Sequence, residues 1–184
     1  FRFGPEGTKK EFLIDEVYTV DQFEAKSVEL LKGFDDLYYR LFKNKDADQK
    51  VEKILLTLKQ AHGRSGYGLL SIKDADTFLG EYRLKKQTSD IGNQRKASEI
   101  SAQAHVAAMK FTKPGVTERQ VQAVLANEFY GKGAAREGYP YIIASGASAT
   151  TLHYNFNDQV CKDGDLLLID AGAEYNYFSG DITR

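Results

Sequence analysis

Cys161 is the only thiol in 184 residues, so an internal disulfide framework is excluded and a reducing compartment such as the cytoplasm is the expected location. An excess of one charge is also missing: 25 Lys and Arg against 26 Asp and Glu leave a formal charge of -1, and no global field draws the chain to nucleic acid or to an anionic membrane. No apolar run approaches the ~18 residues of a bilayer-spanning helix. The first residue is Phe1 rather than methionine, and the opening stretch is charged and glycine-containing, without the apolar core of a secretion signal. The expectation is a chain whose N-terminus has been removed or an internal piece of a longer protein, which leaves targeting open.

What is present is a 42% hydrophobic sequence, enough for one medium domain or two small ones with real cores. Up to about Tyr82 strand-like and helix-like stretches alternate. Lys9 to Phe12 reads as a helical turn, Val17 to Val20 as a strand, Asp21 to Leu31 as a helix capped by Asp21, and Leu37 to Phe42 as a strand. Asp46 to Ala61 carries Val51, Ile54, Leu55 and Leu58 at helical spacing. The glycine-rich run from His62 to Gly68 lacks the Gly-Lys-Ser/Thr ending that holds phosphates, and a surface turn is expected there.

Polar, basic text from Glu81 to Gln87 marks a domain boundary, giving residues 1–84 and 85–184. A long helix follows, capped by Thr88 or Ser89, with Ile91, Ile100, Ala104, Ala107 and Phe111 as its buried stripe and Lys113-Pro114-Gly115 as its stop. His105 within it has no second histidine one turn on, which makes it structural or exposed rather than a ligand. The next helix opens with a capping box from Thr117 to Gln120, buries Val121, Val124, Leu125 and Phe129, and ends at Gly131. Tyr139 to Ala144 is a strand candidate, Ser145 to Thr151 a small-residue turn, and Cys161 a bystander in a turn leading to the last segment.

That last segment carries the chemistry. Leu166 to Ile169 is an unbroken apolar run of strand length, expected to be buried on both faces, and Asp170 ends it. Asp181 follows a second β-prone stretch. With Tyr175 and Asn176 as a two-residue loop, Glu174 pairs with Tyr177 and Asp170 faces Asp181, their Cβ atoms roughly 5 Å apart. Two close carboxylates with little solvent access either share a proton or hold a cation, because isolated buried charge is too costly to persist. His153, on what the pattern suggests is a neighbouring strand, is either a satisfied surface histidine or an acid beside such a cation.

Four stretches then carry a family likeness: Tyr139, the run from Ser145 to Tyr154 ending in Leu-His-Tyr, Asp163 to Tyr175 containing Ile-Asp-Ala-Gly-Ala-Glu-Tyr, and Gly-Asp-Ile-Thr-Arg from Gly180 to Arg184. Together they resemble the Xaa-Pro aminopeptidase (aminopeptidase P) family of pita-bread metallopeptidases. The likeness is close from about Leu84 onward and looser before it. It implies an α/β (α+β) fold in which residues 85–184 form the first half of a pita-bread domain. Residues 1–84 would be the late part of a creatinase-like N-terminal α/β domain.

The resemblance further implies two divalent metal ions, manganese by family habit, with Asp170 chelating one and Asp181 bridging both. His153 would hydrogen-bond the substrate or tetrahedral intermediate, and Tyr139 would line the substrate pocket. The implied reaction is release of the N-terminal residue from peptides with proline second, by a metal-bound hydroxide, in a homo-oligomer. Prolidase, or a metal-free pita-bread binding protein, is the alternative. Ser148 stands where relatives commonly place asparagine. The family's remaining ligands, a histidine and two glutamates, together with a further substrate-binding histidine, fall beyond Arg184, so the 184 residues are expected to be inactive alone.

Overall fold

The computed structural model describes residues 3–66 and 71–184. The chain divides into two compact units, Phe1–Lys85 and Lys86–Arg184.

The first unit is built from α1 (Gly4–Phe12), a single 3₁₀ turn at Val20–Gln22, α2 (Phe23–Leu31), β1 (Asp36–Tyr38), α3 (Lys45–Ser65), β2 (Ser71–Lys73) and α4 (Ala75–Leu84). Asn44 caps α3 by accepting from the Ala47 N–H at 3.1 Å. The α3 stripe of Val51, Ile54 and Leu58 is buried as its periodicity predicts, packed with Val28, Leu31 and Leu37. β1 and β2 pair in parallel, Leu37 opposite Ile72, with α3 as the crossover.

Two expectations fail in this unit, and a third is refined. Val17–Val20 forms no strand: Thr19 exchanges hydrogen bonds with Gln22, and this local capping box turns the chain into the 3₁₀ segment. The glycine-rich run begins inside α3 rather than in a turn, and Gly66, at φ 70°, is the left-handed cap that ends the helix. Tyr67 and Gly68, which complete that run, lie outside the described residues. The polar stretch assigned to a boundary also contains the end of α4, which Asp74 caps through the Asp76 N–H at 2.9 Å.

The second unit lays two helices over small antiparallel sheets. They are α5 (Thr88–Phe111) and α6 (Glu118–Gly131), followed by β3 (Arg136–Glu137), β4 (Ile142–Ser145), a 3₁₀ turn at Gly146–Thr150, β5 (Leu167–Asp170), β6 (Ala173–Tyr175) and β7 (Phe178–Ser179). Gln87 caps α5, one residue before the expected Thr88, because Asp90 reaches back to the Gln87 N–H at 2.9 Å. The buried face of α5 is Ala97, Ile100, Ser101, Ala104, His105 and Ala108, while Ile91 and Phe111 stay exposed. Alanines and a serine on that face let the helix approach the sheet closely. The α6 capping box forms as read, and Val121, Leu125 and Phe129 are buried against Ile100, Ile143 and Ile169. Each such side chain removed from water contributes about 1.5–3 kcal/mol. Cys161 is part of this core, where burial raises its thiol above the ordinary range and leaves it unreactive.

β4 pairs with β5, placing Ile142 opposite Asp170 and Ser145 opposite Leu167. On its other side β5 bonds to the C-terminal segment: Ile169 and Arg184 exchange N–H···O bonds of 2.7 and 2.8 Å. The expectation of burial on both faces fails, because α5 and α6 cover only one. Ile169 and Leu167 point into that core, whereas Leu166 is 81% exposed and shares the open face with Asp170.

Candidate active site

The hairpin that carries the two acids turns one residue later than expected. Asn176 and Tyr177, at φ 46° and 69°, occupy the loop, the positive-φ pair of a type I′ turn. The register is accordingly Glu174 opposite Ser179 and Tyr175 opposite Phe178, and Asp170 bridges Thr183 rather than Asp181. Packing explains the choice: Tyr175 lies against the core, and Tyr177 is 91% exposed. A loop at Tyr175 would have put the wrong tyrosine in water. Because the slip moves the pairing by two residues, the side-chain faces are unchanged, and both aspartates remain on one side.

There they converge. The Tyr139 hydroxyl contacts Asp170 Oδ1 at 2.7 Å and Asp181 Oδ1 at 2.9 Å, so those oxygens can be no farther apart than the two distances combined. Thr183 donates to the second oxygen of Asp170 at 2.7 Å. A hydroxyl has one proton and can donate to one carboxylate at a time, so Tyr139 does not neutralise the pair. Among the described residues no lysine, arginine or histidine forms an ion pair with either acid. Burial, and then the hydrogen bonds to Asp170 and Asp181, push the Tyr139 hydroxyl far above the ordinary phenol range. It therefore remains a proton donor throughout the working pH range.

Close backbone packing makes this crossing possible. A Cβ on Gly172 would collide with the Gly180 carbonyl and stand 3.0 Å from the Tyr139 ring, and one on Gly180 would stand 2.6 Å from the Ala97 carbonyl. Ser101, buried on α5, locks the crossing. Its hydroxyl lies 2.9 Å from the Gly180 carbonyl and accepts from the Ala173 N–H at 2.9 Å. His105, also buried, contacts the Ala171 carbonyl through Nε2 at 3.0 Å. It is structural, as its isolation in the sequence suggested.

The acids open into a pocket of about 370 Å³ lined by Tyr139, Pro140, Ile142, His153, Asn155, Asp170 and Asp181. All four residues singled out in the sequence thus meet in one cavity. His153 is not on a strand. It sits in an exposed turn at φ 54°, because the small residues from Gly146 coil into a 3₁₀ segment that carries the chain off the sheet edge. Asn157, also at positive φ, replaces the missing strand: its carboxamide accepts from the Ile143 N–H at 2.9 Å and donates to the Tyr141 carbonyl at 3.0 Å.

Sequence reasoning missed Thr183, Asn155, Ile142 and the buried Glu118. The pairing Asp170–Thr183 follows from the turn position alone and could have been found by weighing which tyrosine the core would take.

Among the described residues no three His, Cys, Asp or Glu side chains gather at one point, so the oxygen donors on hand are the two aspartates. No helix among the described residues is long and apolar enough to cross a membrane.

Residues 92–184 match the profile of metallopeptidase family M24. The Xaa-Pro aminopeptidases of Escherichia coli (strain K12) and Haemophilus influenzae are each 32% identical over 183 residues, all of this chain but only 42% and 40% of theirs. Among solved structures, proline aminopeptidase P II from Yersinia pestis superimposes with a TM-score of 0.91 at 34% identity. Zinc-substituted E. coli aminopeptidase P in complex with product gives 0.93 at 32%. Both superpositions cover 100% of this chain and 42% of the other. The chain thus spans less than half the length of these relatives.

Proposed function

Because the chain belongs to metallopeptidase family M24, we propose that it is part of a metal-dependent aminopeptidase that releases the first residue from peptides with proline in second position. The observation that carries this is the convergence of the Asp170 and Asp181 carboxylates in one pocket with Tyr139 and His153. Two unneutralised carboxylates suit hard divalent cations, and manganese matches an all-oxygen donor pair. Asp170 would hold one ion and Asp181 would bridge two, the remaining ligands coming from outside the described residues. Bound there, the ions would supply a water nucleophile at neutral pH and Lewis acidity toward the scissile carbonyl.

The chain's own groups do the rest. Tyr139 donates toward the acids and orients their oxygens. Pro140 and Ile142 form an apolar wall suited to a proline ring. His153 donates a hydrogen bond to the carbonyl oxygen as charge develops on it, an interaction stronger in the transition state than in the ground state. Residues 1–84 would be the closing part of an N-terminal α/β domain, and residues 85–184 the opening part of the catalytic one. A reducing compartment such as the cytoplasm fits the lone Cys161, and a homo-oligomer is what the family resemblance implies.

The test is Asp181→Asn in the full-length enzyme, which removes a charge and keeps the shape. Turnover of an Xaa-Pro peptide should disappear and bound metal should fall, with the circular dichroism spectrum unchanged. Near-normal hydrolysis at full metal content would overturn the assignment, and cleavage confined to Xaa-Pro dipeptides would move it to prolidase.

A further inference from the structure

Glu118 is fully buried, yet nothing in the chemistry above uses it. It stands at the first position of α6 and accepts four hydrogen bonds. Oε1 takes the Ser145 N–H at 2.7 Å and the Ser145 hydroxyl at 2.8 Å. Oε2 takes the Tyr154 hydroxyl at 2.9 Å and the Gln159 N–H at 3.0 Å. The donors come from the end of β4, from the residue after His153, and from the chain just before Val160, which bridges back to Thr117.

An enclosed carboxylate costs several kcal/mol of lost hydration unless charge-compatible donors surround it. Here the helix N-terminus and four donors supply them. The helix does not need the group as a cap, since Thr117 and Gln120 already cap each other. An acceptor-only side chain is required, because a glutamine would turn N–H groups toward one pair of donors. What Glu118 adds is a tie between the end of β4 and the turn bearing His153. That turn needs one: His153 has a left-handed backbone, which costs a residue with a side chain about 1–2 kcal/mol. Among the described residues its imidazole makes no hydrogen bond of its own, so its direction is set through the backbone, with Tyr154 as the nearest anchor.

We propose that Glu118 is a positioning residue for the reaction: by clamping Ser145 and Tyr154 together it holds the His153 turn over the pocket containing Asp170 and Asp181. The proposal rests on the role given to His153 above. It predicts a kinetic coupling between two residues of which one never meets substrate.

The experiment is a double-mutant cycle in the full-length, manganese-loaded enzyme with an Xaa-Pro peptide. Glu118→Gln should lower kcat on the order of ten- to a hundredfold, the scale of a small misplacement of a reacting group, with metal content and KM little changed. In a His153→Ala background the same substitution should change kcat by less than about twofold, because the group it positions is gone. Independent, multiplying losses in the two backgrounds would show that Glu118 serves only the fold and would overturn the proposal. Should Glu118→Gln not fold, Tyr154→Phe, which removes one hydroxyl, decides in its place. A smaller loss of kcat that vanishes with His153→Ala supports the clamp, and wild-type kcat or multiplying losses overturn it. If His153→Ala itself keeps wild-type kcat, the reading of the site fails and the proposal falls with it, an outcome distinct from multiplying losses.

Discussion

Among the described residues of the first unit, Val51, Ile54 and Leu58 are the buried apolar side chains, while Phe12, Leu13, Val20, Phe34, Phe42 and Tyr82 stand in solvent. The second unit buries Ile100, Val121, Leu125, Phe129, Ile143 and Ile169 together, and among the described residues the buried polar ones, Ser101, His105, Glu118, Ser145, Asn157 and Glu174, are there too. Neither α1, α2 nor α4 buries a residue. The contrast separates two ways of holding a chain. The first unit relies on local caps, one helix stripe and exposed ion pairs such as Arg40–Asp76 and Lys73–Asp36, which hold little because water and salt screen them. The second carries its carboxylate pair on an open face and sets behind it a buried polar frame of Ser101, Glu118 and Asn157, in which every hydrogen bond is costly to remove because water cannot replace it.

Glycine substitutions probe that contrast most directly. Gly172→Ala should destabilise the second unit by at least about 3 kcal/mol and scatter the acids, since its Cβ would meet the Gly180 backbone, which has nowhere to move. Urea unfolding followed by circular dichroism reads the loss, and a midpoint within error of wild type would show that the crossing is looser than described. Ser101→Ala comes next, at about 1–3 kcal/mol, because the Ala173 N–H loses its acceptor inside the core. Amide exchange at Ala173 should speed up more than at any position in α3.

The opposite sign is expected in the first unit. Gly80 lies within α4, and a Cβ there meets nothing within 4 Å. Gly80→Ala should therefore stabilise by about 0.5–1 kcal/mol through helix propensity, and a fall in melting temperature would mean that α4 is more enclosed than it is described.

The smallest effect is on pH dependence. Asp36 titrates below the ordinary carboxylate range because of its hydrogen bonds to Lys73 and then to Ser71. A depressed folded value stabilises above the unfolded pKa of about 3.9, and the contribution is lost as pH falls through the folded value. Asp36→Asn should flatten the acid limb of the first unit slightly and leave stability near pH 7 almost unchanged in high salt.

Much of this molecule could be read from its residues because the controlling interactions are local. The Thr117–Gln120 box, the stop at Lys113-Pro114-Gly115, the α3 stripe and the apolar strand ending in Asp170 each act within a few residues, so spacing alone exposes them. The two acids fall on one face for the same reason, since alternation along a strand survives a slip of two positions. The exact pairing did not follow, because it depends on which of Tyr175 and Tyr177 the core accepts, a contest between packing and turn preference that only the assembled sheet resolves. Glu118 shows the limit most clearly. In the chain it is the second letter of a capping box and looks like an exposed first-turn acid, and only the return of Ser145, Tyr154 and Gln159 from across the fold gives it four donors and takes away its water.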